Sequence, residues 1–270
     1  MSGVLLRHTV AAMRWRVAAV AAGLFAWGAI LPVVYATFGA DFRALVQGGY
    51  FGQLLDLFSA FGGGNVLSLD GSVALGLIHP ISIALAAILA IGHPLAAIAG
   101  ERERGTLEVL LARPIARRRV YATALVAMVA FVAVALAADL VGIVAGAAAF
   151  GVAGELHPAR LLVAWANQVL LLVALGAIAL AASAASDRLA PALGGVLAFT
   201  IASYALEFLG ALWPRIAGLR PWSLFHYFQP AAILAGDADP ADFVVLAAVA
   251  VAATACGLWL FPRRDLAAPG

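Results

Sequence analysis

The stretch GSVALGLIHPISIALAAILAIGHPLAAIAG, residues 71–100, runs for thirty residues without one Asp, Glu, Lys or Arg. A helix crosses a hydrocarbon core about 30 Å thick with roughly 20 apolar residues, so this run is long enough to span a bilayer. In lipid the backbone must satisfy its own hydrogen bonds, which makes the expected conformation helical. Working outward, further uncharged runs cover 17–40, 161–186 and 243–262, while 120–154 is interrupted only by Asp139 and 189–214 only by Glu207. Six spans follow, at about 17–38, 74–100, 120–150, 161–185, 189–212 and 243–261, within one transmembrane domain occupying 1–270. The fold class is therefore an all-α integral membrane protein. A chain 65% hydrophobic and 11% charged carries more apolar surface than a soluble domain of its length can cover. The first run exceeds the usual core of a cleaved signal and five spans follow it, so it reads as a retained signal-anchor. The third span exceeds the bilayer requirement and must tilt or begin in the cytoplasm. Pro32, Pro80 and Pro94 are expected to kink their helices, because each lacks a backbone donor and crowds the preceding turn.

All sixteen basic side chains are arginine. Without lysine there is no phosphate loop of the Walker type and no Schiff-base chemistry. The net charge of +2 gives no basic footprint for nucleic acid. The single cysteine, Cys256, lies in the last span, so no internal disulfide can form. If both termini are cytoplasmic, the inner segments hold Arg7, Arg14, Arg16, Arg102, Arg104, Arg113, Arg117, Arg118, Arg119, Arg188, Arg263 and Arg264, and the outer ones only Arg43, Arg160, Arg215 and Arg220. Positive charge stays inside, which sets that orientation in the cell membrane.

Three segments are neither span nor simple linker. In 1–16, Leu6, Val10, Met13 and Val17 form an apolar stripe beside Arg7 and Arg14, the pattern of an interfacial helix lying in the headgroup layer. In the first outer segment, Phe51, Leu54, Leu55 and Phe58 suggest an amphipathic helix ending at Gly62-Gly63-Gly64-Asn65. The last outer segment, 213–242, carries Trp213, Trp222, Phe225, Tyr227 and Phe228 among Pro214, Pro221 and Pro230. Aromatic rings favour the membrane interface, so this stretch is expected to return to the bilayer, re-entrant-like, and cap the bundle.

The inner loop 101–119, ERERGTLEVLLARPIARRR, concentrates nine of the thirty charged side chains. Leu107, Leu110 and Leu111 stripe one side of a short helix that Pro114 ends, with glutamates and arginines on its remaining surface. Such a segment is built to lie along the cytoplasmic face and present charge to something soluble. The run Glu101, Glu103, Gly105, Thr106, Glu108 and its two following leucines, with a proline before an arginine-rich start of the next span, resembles the signature of the type-2 ABC exporter permeases. Six spans, an amphipathic N-terminal helix, an aromatic outer segment and the basic tail Phe261-Pro262-Arg263-Arg264-Asp265 extend the resemblance to the whole chain.

The resemblance implies a dimer of permease subunits, most simply a homodimer, forming the substrate pathway above two separate ATPase subunits. It implies that 101–119 is the coupling segment, with Glu101, Glu103, Gly105, Thr106 and Glu108 as the ATPase-coupling residues. ATP and Mg would be bound in the partner, leaving this chain with no cofactor and no catalytic role.

Other constellations are absent. His79 and His93 lie fourteen residues apart, about 21 Å along a helix, too far to share a metal, and no H-E-x-x-H, C-x-x-C or G-x-S-x-G occurs. Asn167 and Gln168 are expected to bond between helices. Asp139 and Glu207, the acidic groups inside spans, should face protein or water, as pathway or packing residues. The alternative reading is an ATP-independent secondary carrier or channel.

Overall fold

The computed structural model describes residues 3–47, 67–112 and 115–264, with side chains at all of these except 40–47, 108 and 110–111. The proposed outer helix at 51–58 and its glycine turn lie outside the described residues. Among those described, every regular element is helical, and six helices are long and apolar enough to cross a membrane.

Helix α1 spans Gly3–Gln47. Its 45 residues reach about 67 Å, twice a hydrocarbon core. The expected separate interfacial helix at 1–16 is therefore not set off from the first span. Between Gly3 and Gly23 lies no proline or glycine, so nothing interrupts helix propagation. Leu6, Met13 and Val17 also pack against the bundle, and only Val10 of that stripe is exposed.

The quoted stretch 71–100 divides at His79. Helix α2 (Leu69–Ile78) and helix α3 (Pro80–Glu103) meet there, so the second span begins at Pro80 and not at 74. The residue before a proline is pushed out of the helical region, and His79 is extended at φ −61°, ψ 141°. Its Nδ1 accepts from the Ile81 N–H at 3.2 Å, capping α3. The carbonyls freed at the end of α2 are taken by three other spans. Trp27 Nε1 donates to Gly76 O (3.0 Å), Gln168 Nε2 to Leu77 O (3.4 Å) and the Tyr204 hydroxyl to Ile78 O (3.2 Å). Pro94 causes no comparable break. Two π-helical segments, Ile88–Gly92 and Ala96–Gly100, flank it and absorb its missing donor and bulky ring. Buried Ser183 replaces one helical hydrogen bond, accepting from Ala99 N at 2.9 Å and donating to Leu95 O at 3.2 Å.

After the short helix α4 (Thr106–Leu111) come α5 (Arg117–Ala149), α6 (Pro158–Ala185) and α7 (Leu189–Leu212). Helix α8 (Pro230–Ala235) packs against α2, and α9 (Pro240–Leu260) is the last span. Helix α6 is the most enclosed span, whereas α7 and α9 are the least, leaving broad apolar faces to lipid or to another subunit.

The closest helix pair is α1 on α5. A Cβ at Gly142 would collide with Phe25 O, and one at Gly146 with Ala29 O, so the backbones touch where side chains would normally separate them. Gly28 on α1 makes the reciprocal room for the Asp139 backbone.

Candidate functional site

The end of the bundle that carries loop 101–119 gathers the residues that the sequence singled out. Gly105, at φ +72°, makes the turn between α3 and α4 in a conformation that only glycine adopts freely. Thr106, the first residue of α4, directs its hydroxyl to the Glu101 carboxylate, whose other oxygen pairs with Arg104. Leu107, 1% exposed, roots α4 in an inner core of Ile98, Val120, Tyr121, Leu180, Ala184 and Phe261. Val109 is 70% exposed on the same short helix. Glu101, Gly105 and Thr106 thus form one rigid elbow. The side chain of Glu108 is outside the described residues.

Two charges of this loop turn back onto the protein, contrary to an arrangement that leaves all of them on the free surface. Glu103 Oε2 accepts from Leu189 N at 3.0 Å. The N-cap of α7 is Arg188, which offers no side-chain acceptor, so the carboxylate of Glu103 supplies it and places negative charge at the helix N-terminus. The signal was present in the sequence as a helix start without a capping residue. Arg102 is buried and its guanidinium meets Asp187 Oδ1 at 2.9 Å. Arg264 meets the same oxygen at 2.8 Å and donates to Ala184 O at 3.3 Å. Arg117 holds the tail in turn, donating to Arg264 O at 2.7 Å and Pro262 O at 3.3 Å. Asp187 received no role from the sequence.

At the opposite end of the bundle, expected to be the outer one, segment 213–229 forms two 3-10 turns, Ala217–Trp222 and Leu224–Tyr227. The expected interfacial aromatic cap divides in two. Phe225 and Phe228 are in the core, each 1% exposed, whereas Trp213 and Trp222 point outward. Helix α7 grips this segment through two residues one turn apart. Ser203 accepts from Leu224 N at 2.9 Å through its hydroxyl and from the Ser223 hydroxyl at 2.7 Å through its carbonyl. Glu207 forms an ion pair with Arg220, whose Nε lies 3.0 Å from Oε1, and His226 Nδ1 stands 3.3 Å from Oε2. Arg215, the nearer arginine in sequence, is exposed. Asn167 completes the attachment from α6, donating to Tyr227 O and accepting from Gln229 N. Gln168 makes the expected interhelical bonds, to Leu77 O and Ser82 Oγ, whereas Asn167 bonds this segment instead.

Asp139 is 1% exposed, and neither carboxylate oxygen has a hydrogen-bond partner among the described residues. It borders a small cavity with Leu77, Leu136, Trp165 and Gln168, inside the subunit and against α1. A carboxylate is costlier to hold there than an amide of the same shape. Asp139→Asn is expected to accumulate normally and to raise the thermal midpoint of the purified protein. A lowered midpoint would show that the acid itself is required.

No group of three or more metal-ligating side chains occurs among the described residues. A bundle of six helices long and apolar enough to cross a membrane defines a multi-pass membrane protein. The family model described as "ABC-2 family transporter protein" matches residues 13–266, and the chain belongs to that family as a transmembrane ABC transporter subunit. No curated protein matches the chain.

Proposed function

We propose that the protein is the permease subunit of an ATP-driven exporter, acting as a dimer and coupled through 101–119 to separate ATPase subunits that bind ATP and Mg. The observation that carries this reading is the elbow. Helix α4 is fixed at one end to a span by Glu101, Gly105 and Thr106, is rooted by Leu107, and leaves Val109 open beyond the bundle. A lever of this kind converts closure of a soluble dimer into motion of a membrane helix. The outward faces of α7 and α9 offer surface for the second subunit.

Both termini are assigned to the cytoplasm. Leu5 near the start of α1 packs against the same inner core as Phe261 near the end of the chain, so both termini share the end that holds the arginine-rich loop. Arginines at that end favour retention inside.

Val109→Asp tests the coupling role without touching a buried side chain. Wild-type protein, tagged and purified from its own membranes, is expected to bring down an ATP-hydrolysing subunit in equal amount. The variant should reach the membrane at the same level and lose that partner at least about tenfold, the effect of roughly 1.4 kcal/mol at a protein interface. Retention of the partner at the wild-type ratio would remove α4 from the docking surface.

A further inference from the structure

We propose that Asp187 is a positioning residue that locks the coupling elbow to the fifth span, α7, so that motion of the elbow is delivered along α7 to the outer segment 213–229. The inference rests on the coupling role proposed for α4. One carboxylate oxygen joins Arg102 at the end of α3 to Arg264 of the C-terminal tail, and Arg264 also holds the last turn of α6 through Ala184 O. Arg117 ties α5 to the same tail. Asp187 itself sits between α6 and α7, in a connection of three residues with no slack. Beside it, Glu103 bonds the first N–H of α7. Two contacts therefore join α3 to the base of α7, one of them charge-assisted on both sides.

Helix α7 suits the role of a rod. Within the subunit it is among the least enclosed spans, so few contacts from its own bundle hold it. It runs 24 residues without a break, about 36 Å. Its outer half grips the outer segment through Ser203 and Glu207. Rigid secondary elements with defined attachments at each end are one physical means of carrying coupling between distant sites. Without Asp187 the carboxylate that joins Arg102 to Arg264 is gone, and Arg102, only 7% exposed, loses its ion pair with that connection.

The test uses the permease–ATPase complex in lipid nanodiscs, one subunit per dimer carrying paired spin labels, in a Cys256→Ser background. Labels at Ala112 and Ala190 report the elbow against the base of α7. Labels at Ala112 and Phe150 report the elbow against the far end of α5. All three positions are exposed. With ATP–Mg and vanadate, the Ala112–Phe150 distance is expected to shift while the Ala112–Ala190 distance holds. In Asp187→Ala the second distance should shift as well, and Asp187→Glu should restore its constancy, a rescue that general destabilisation would not give. Should Asp187→Ala fail to assemble, Asp187→Asn replaces it, with the same shift expected. An Ala112–Ala190 shift in the wild type as large as the Ala112–Phe150 shift would overturn the proposal, as would a constant distance in both neutral variants. A wild-type complex in which Ala112–Phe150 does not respond to nucleotide would instead refute the coupling role of α4.

Discussion

Replacing Gly142 and Gly146 together by alanine is expected to remove most of the folded protein from the membrane. Each added methyl would enter the space of a backbone carbonyl on α1, Phe25 O for one and Ala29 O for the other. A backbone atom cannot turn aside as a side chain can, so α1 and α5 must separate along their closest contact. Separation opens the core built by Leu24, Leu31, Val132 and Leu136 and strips Asp139 of the backbone cover that Gly28 provides. Overpacking of a well-filled core costs about 1–3 kcal/mol per site, so the pair should cost about 3 kcal/mol or more against a total stability of roughly 5–15 kcal/mol. Gly194→Ala with Gly195→Ala adds the same two methyls where nothing lies within 4 Å, and that variant should match the wild type. Detergent-solubilised yield and thermal midpoint compare the two. Equal behaviour of the pairs would mean that α1 and α5 do not approach as closely as these glycines indicate.

That contact was legible in the sequence, since Gly142-Ile143-Val144-Ala145-Gly146 is the small-residue spacing of closely packed membrane helices. Charge-free length does not reveal it, because that measure sees spans and not the faces between them. Length served the spans well. The fifth span, set by Arg188 and by the aromatic-proline turn after Leu212, has the expected bounds 189–212. It failed at His79, where one apolar run contains two helices. Hydropathy does not register a break whose freed carbonyls are satisfied by Trp27, Gln168 and Tyr204 from other parts of the chain. The same limit hid the inner clamp. Glu103, Asp187 and Arg264 are far apart in sequence, and each resembles an ordinary loop charge until folding brings them together. For the elbow itself, the resemblance to a family signature flagged the residues, and the contacts that join them, a glycine with positive φ and Thr106 on Glu101, fall within six consecutive residues.

Removal of Arg220 is expected to destabilise the protein more than removal of the charge on Glu207. The Glu207 side chain is 6% exposed and Arg220 28%, so the two partners are not equivalent. Arg220→Ala leaves a buried carboxylate whose remaining ionisable neighbour among the described residues is His226, and it empties the space over Gly210 that the arginine stem fills. Breaking a fully buried pair in this way costs about 3–5 kcal/mol, and the partial exposure of the arginine brings the expected value below that range, to about 2–3 kcal/mol. Glu207→Gln keeps an oxygen that accepts from the guanidinium and leaves an arginine that can reach water, for a cost of about 1 kcal/mol. The double variant Glu207→Gln with Arg220→Met should recover part of the loss, because no charge is then left buried while the stem is replaced by an apolar chain of similar length. Thermal midpoints of the three purified variants rank these effects. Protease cutting within 213–229 reports whether the part of the outer segment around Arg220 has come away from α7, as it should in Arg220→Ala, while Ser203, Asn167 and the buried rings of Phe225 and Phe228 hold the remainder. Equal midpoints for Arg220→Ala and Glu207→Gln would mean that Glu207 is satisfied by other groups, and the outer grip of α7 would then rest on Ser203.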